Sequence, residues 1–178
     1  MATVFTSNLR LALPTTGAES GTWGDTVNNS ITTLVDTAIT GLASLSMTTA
    51  DYTLSTANGA TDEARCMFLT IGGTPGAARS IIVPALSKLY IVYNNSTGGY
   101  AQTVKTSAGT GISVPNGSRA VLYCDGTNVV TAATYASAMT LGTALPVASG
   151  GTGLSSAGTS GYVLASNGTA FVATDLAA

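Results

Sequence analysis

Histidine is absent from this sequence. That excludes Ser-His-Asp and Cys-His catalysis and any metal site that needs an imidazole. Charge is scarce as well. Asp, Glu, Lys and Arg make up 8% of the 178 residues, against about 25% in ordinary soluble domains. The six Lys and Arg are scattered and the net charge is −2, so no basic patch for a nucleic-acid backbone can be drawn. No apolar run is long enough to span a bilayer, and residues 1–13 lack the uninterrupted apolar core of a signal peptide. The expectation is a chain made in a cytoplasm, with no nucleic-acid partner and no membrane insertion. A surface covered by Ser, Thr, Asn, Gly and Ala repels its own copies weakly, which points to assembly. A low-complexity polar surface is the plainer alternative.

Only two cysteines are present, Cys66 and Cys124. Both fall in predicted strands, 65–71 and 119–124, where buried reduced thiols are expected. A disulfide between neighbouring strands is the other option, without an oxidising context to favour it. The glycine-rich run 150–161 (GGTGLSSAGTSG) lacks the Lys-Ser/Thr ending of a phosphate loop and reads as backbone flexibility. Asp62-Glu63 is the one adjacent carboxylate pair. A glycosidase needs its two carboxyls facing each other roughly 5 to 9 Å apart, which sequence neighbours rarely do. Asp51, Asp62, Asp125 and Asp175 show no calcium-loop spacing. The predicted chain is therefore not an enzyme and takes no cofactor and no metal.

What the sequence has is short apolar runs separated by polar turns. Between Arg79 and Thr131 they read SIIVP, KLYIVYN, YAQTVKTS, GISVP, RAVLYC and NVVT, with turns at 95–99, Asn116-Gly117 and Asp125-Gly126. β-Branched and aromatic residues suit a pleated surface, and Asn-Gly or Asp-Gly supplies the positive φ of a hairpin. With strands at 51–55 and 65–71, this predicts a mainly β fold around a central antiparallel β-sandwich. Leu89, Ile91 and Tyr93 alternate with Tyr90 and Val92, so both faces of that strand are apolar. It should be covered on two sides, by the second sheet and by a helix or another copy.

Upstream, Leu9, Leu11 and Leu13 share one face of an extended segment, and 14–24 reads as a loop holding Trp23, the only tryptophan. Two roles fit Trp23: a plug for the protein's own core, or an anchor into a partner. Asp25 is a good N-cap for a helix over 26–45. Ile31, Val35, Ala38, Leu42 and Leu45 step by four, three, four and three, a heptad seam. It would either pack on the chain's own sheet or form a three-helix bundle in a trimer. The predicted domains are 1–46 (attachment loop and trimerising helix), 47–134 (sandwich) and 135–178 (linker and extended glycine- and serine-rich segment).

Three stretches taken together resemble the tail-fibre and fibre-like proteins of tailed bacteriophages: LRLALPTTGAESGTWGDTVNNSITTLVDTAI (9–39), the β-run 80–130, and LPVASGGTGLSSAGTSGYVLASNGTAFV (145–172). The resemblance implies a non-enzymatic virion protein of the tail. It would be a homotrimer joined through its N-terminal region to an adaptor, nozzle or baseplate protein. Trp23, Leu9, Leu11 and Leu13 would dock to the virion, and the helix seam would gather the copies. A fibre base, a short fibre or a section of a longer polypeptide all fit. Two other functions are compatible with the residues. One is a carbohydrate-binding module for host surface glycan, using Tyr90, Tyr93, Tyr100, Tyr123 and Tyr135. The other is a capsid-surface fibre or decoration protein.

Overall fold

The computed structural model describes residues 4–135, 143, 145–149, 151–154 and 160–175. Strands β1 (Val4–Phe5) and β2 (Ala12–Leu13) pair as a small N-terminal hairpin. Helix α1 (Trp23–Val27) passes through a π-helical turn over Asn28–Thr32 into α2 (Thr33–Thr40). There follow β3 (Leu42–Met47), β4 (Tyr52–Thr53), β5 (Phe68–Gly73), β6 (Ser80–Val83) and β7 (Ser87–Asn94). Strands β8 (Gln102–Thr106), β9 (Gly111–Val114), β10 (Arg119–Asp125) and β11 (Val129–Thr131) complete the first unit, Met1–Thr134. The second unit, Tyr135–Ala178, contains a 3-10 turn at Val147–Ser149 and a hairpin of β12 (Tyr162–Ser166) and β13 (Phe171–Asp175). Of the predicted linker and glycine-rich segment 135–178, residues 136–142, 144, 150, 155–159 and 176–178 lie outside the described residues.

The chain is mainly β, but the expected antiparallel sandwich is not what forms. The two sheets are mixed. One has the order β11-β10-β7-β5-β3 and the other β4-β6-β8-β9. Strands β3, β5 and β7 run parallel, as do β4, β6 and β8. Within these two sheets, antiparallel pairing is confined to β7-β10-β11 and β8-β9. The turns are the reason. From β3 to β8 successive strands alternate between the two sheets, so the chain winds like a β-solenoid and strands adjacent in a sheet point the same way. Residues 95–101 and 115–118 are arches that carry the chain across to the other sheet. At Asp125-Gly126 the chain does fold back in plane, with Gly126 at φ 95°.

The winding encloses one apolar layer. Leu45, Leu69, Ile71, Tyr90, Val92 and Leu122 from the five-stranded sheet meet Ile81, Val83, Val104 and Val114 from the four-stranded one. Each such side chain contributes roughly 1.5 to 3 kcal/mol on burial. Cys66 and Cys124 are both free and buried. Cys124 lies on β10, whereas Cys66 precedes β5 on the turn after Glu63–Arg65.

The predicted helix over 26–45 is corrected at both ends. It begins at Trp23, in the stretch read as a loop, and stops at Thr40. Gly41 is extended (φ −67°, ψ 139°), and a Cβ there would collide with the Thr37 carbonyl. Beyond it LASLSM alternates strictly, Ala43, Leu45 and Met47 inward and Leu42, Ser44 and Ser46 outward. A period of two on a sheet edge wins over a period of 3.6, because the threonine-rich helix has little intrinsic stability to extend itself. The predicted seam is therefore split: Ile31, Val35 and Ala38 lie on the helical segment, Leu42 and Leu45 on a strand. The expected boundary at residue 46 falls inside β3, so helix and sheet belong to one unit.

Buried polar groups pin the loops. Lys88 Nζ donates to the carbonyls of Ala64 (2.5 Å), Arg65 and Cys66 (2.9 Å), closing the C-terminal end of the Glu63–Arg65 turn, and lies 4.8 Å from the Tyr90 ring centre. Burial pushes this ammonium down to about 8. Burial also pushes the Tyr90 phenol well above its ordinary range. Tyr90 ionises near pH 10 in the unfolded chain but stays neutral in the fold. Its contribution is thus present below pH 10 and lost as pH rises towards the folded value, by about 1.4 kcal/mol per pH unit. Tyr90→Phe should escape that loss. Urea melts of both proteins from pH 9 to pH 11.5 should coincide at first and then diverge, with the wild type falling faster. Parallel curves would show that Tyr90 does not control the alkaline limit.

Candidate interaction surface

Because side chains alternate across a strand, every inward row of the sheets implies an outward one. The two outward faces differ in kind. On the four-stranded sheet, Ser80, Thr103 and Ser113 form one row and Thr53, Ile82, Lys105 and Gly111 the next. That face is built for water. On the five-stranded sheet, Leu42, Phe68, Ile91 and Val121 stand in register across four strands. Beside them run Leu89, Tyr123 and Val130. Apart from the half-buried Ile91, exposure in these two rows runs from 37% (Phe68) to 59% (Leu42). Contiguous exposed apolar surface of this kind marks interaction sites, whereas scattered exposed residues do not.

Polar rows border this stripe. On one side lie Ser44, Thr70, Tyr93 and Arg119, with the Arg119 guanidinium 3.9 Å from the Tyr93 ring centre. On the other lie Ser87 and Asp125. Asp125 Oδ1 accepts from the backbone N–H groups of Thr127 and Asn128, and those bonds hold its carboxyl below the usual range. The second unit repeats the theme on a smaller scale. Tyr162, Val163, Leu164 and Phe171 of the β12-β13 hairpin are exposed, and Asp175 is the sole charged residue of 135–178.

The structure scatters the predicted oligomerisation residues. Leu42 joins the exposed stripe, Leu45 is in the core, Ala38 is buried on α2, and Ile31 and Val35 are half-buried. Of the predicted docking residues, Trp23 is 62% exposed at the start of α1, where it lines an open cleft of about 390 Å³ with Pro14, Thr15, Thr16, Glu19 and Ser20. A core plug is thereby excluded. Leu9, Leu11 and Leu13 do not share a face. Leu9 sits in the β1-β2 turn, Leu11 is half-buried, Leu13 is exposed, and the buried residue of the segment is Ala12. Chain reversal in the hairpin separates what a single extended segment would have aligned.

Tyr90, offered as a sugar platform, is in the core and cannot serve as one, while Tyr93 carries Arg119. The Asp62-Glu63 pair is structural. Asp62 takes hydrogen bonds from Arg10 and from the N–H groups of Ala57 and Arg65, and Glu63 accepts from the Tyr52 hydroxyl at 2.6 Å. No cluster of three or more metal-ligating side chains exists among the described residues, and none of their helices is long and apolar enough to cross a membrane. Sequence reasoning missed Phe68 and Val121 as surface residues. For Val121 the signal was available in RAVLYC, where Val121 and Tyr123 alternate with Ala120, Leu122 and Cys124 and so put apolar residues on both faces, as in KLYIVYN. The chain matches no known family, no curated protein and no solved structure.

Proposed function

We propose that this chain is a non-enzymatic structural subunit of a tailed-phage virion: a homotrimeric tail fibre or fibre base, made in the host cytoplasm and carried in the tail. One observation carries the proposal. The five-stranded sheet turns an apolar face outward while its partner sheet turns a polar one, on a chain with little charge to keep copies apart. The exposed β12-β13 hairpin supports it, since an isolated two-stranded sheet is marginal in water and gains stability by docking. The work such a protein does is mechanical. It holds a spacing and presents ends, and it binds no cofactor. Exposed Trp23 with its loop, and exposed Leu13, would meet an adaptor, nozzle or baseplate protein.

Native mass spectrometry of the isolated protein at micromolar concentration should give a trimer, and a stable monomer would overturn the proposal. Gold labelling of a tagged chain on intact particles should mark the tail. Label on the capsid would replace the tail assignment with a capsid-surface fibre.

A further inference from the structure

We infer that the apolar stripe of the five-stranded sheet is the contact between three copies of this chain, packed around an axis that runs along the stripe. This rests on the assembly proposed above and names its interface. The two apolar rows cross the strands, so they follow the direction in which strands stack. An axis parallel to them brings the same residue of each copy to the same level. Around such an axis like meets like, which is tolerable only where no level places charge at the centre. Leu42, Phe68, Ile91 and Val121 meet that condition at four successive strands, and Leu89, Tyr123 and Val130 at three.

The charges of this face lie where the same rotation makes them useful. Arg119 and Asp125 are both outward on β10, one at each border of the stripe. In a ring of three, one border of each copy approaches the opposite border of the next. Arg119 then faces Asp125 of its neighbour at the same level, repeated three times. No foreign partner is needed to satisfy either sign. The stripe is only two rows wide between polar borders, which suits three faces converging on a line better than two faces laid flat. Arg119 is stacked over the Tyr93 ring and Asp125 is fixed by its own turn, so both are ordered before they meet.

The test uses the full-length chain and reads mass by native mass spectrometry and sedimentation, with thermal melts to confirm folding. Val121→Asp places three carboxylates at the centre and should weaken association roughly 100-fold or more while the monomer stays folded. Arg119→Met removes the border pair; Arg119→Glu sets a carboxylate against the neighbour's Asp125. The Glu variant should associate at least about tenfold more weakly than the Met variant, and 0.5 M salt should narrow that gap. Equal behaviour of the two variants would overturn the border contact. A wild-type trimer that survives Val121→Asp would overturn the stripe as interface and leave the assembly itself standing. A monomeric wild type would instead remove the assembly proposal, and a wild-type dimer would remove the threefold arrangement.

Discussion

Arg65→Met should lower the stability of the first unit by about 3 to 5 kcal/mol, a large part of what a domain this size possesses. Arg65 is 1% exposed. Its Nη2 donates to the carbonyls of Leu9 at 2.7 Å and Ala57 at 3.2 Å, its Nη1 donates to Ala60, and Nη1 lies 3.5 Å from Asp62 Oδ2. Methionine fills much of the space and satisfies none of those acceptors. Each buried carbonyl left without its donor costs about 1 to 3 kcal/mol. Two loops also lose a shared anchor, because the guanidinium ties the β1-β2 turn at Leu9 to the 57–60 loop. The melt should therefore be preceded by early proteolytic cutting within residues 4–13. Arg10→Met is the control. Arg10 pairs with the same carboxylate at 2.9 Å but from a partly solvated position, and should cost about 1 kcal/mol. Equal losses for the two variants would show that Arg65 is not the keystone of this network.

The second large effect is expected at Asn94, which is fully buried at the end of β7. Its Nδ2 donates to the carbonyls of Tyr100 (3.0 Å) and Val114 (2.9 Å), and its Oδ1 accepts from the backbone N–H and the hydroxyl of Ser96. One amide thus fastens the arch that leaves β7 and the strand end that leads into the arch before β10. Asn94→Asp keeps the size and removes both donors, setting a carboxylate against two carbonyl oxygens. It should cost at least as much as Asn94→Ala, about 2 to 5 kcal/mol. Hydrogen exchange should locate the damage, with the Asn95 and Gly117 amides losing protection before those of β5. If the alanine variant proved much worse than the aspartate, packing rather than hydrogen bonding would be Asn94's main contribution.

Much of the strand inventory was legible because alternation is a local property. In KLYIVYN the doubled apolar pattern already called for cover on both faces, and the structure leaves Leu89, Ile91 and Tyr93 outward on an open sheet. Strand direction was not legible. Asn, Gly and Ser serve an arch between sheets as well as they serve a hairpin, so 95–99 and 115–118 gave no sign that the chain winds. The helix was misjudged for a related reason. Leu42 and Leu45 stand a three-residue helical step apart, while Ala43, Leu45 and Met47 fit a two-residue alternation, and the choice depended on β5 lying alongside. Arg65 and Lys88 were illegible as pins because the hydrogen bonds of their side chains go to backbone carbonyls, which have no sequence identity.

The way β3 through β8 shuttle between two sheets has a dimensional consequence. Each full circuit of the chain advances the molecule by one strand spacing, about 4.8 Å. A fold of this sort measures length in fixed increments and tolerates insertion or deletion of whole circuits, since each one answers only to the circuits above and below it. The two sheets thereby make a ruler whose reach could be changed by adding or removing a repeat, without redesigning either end.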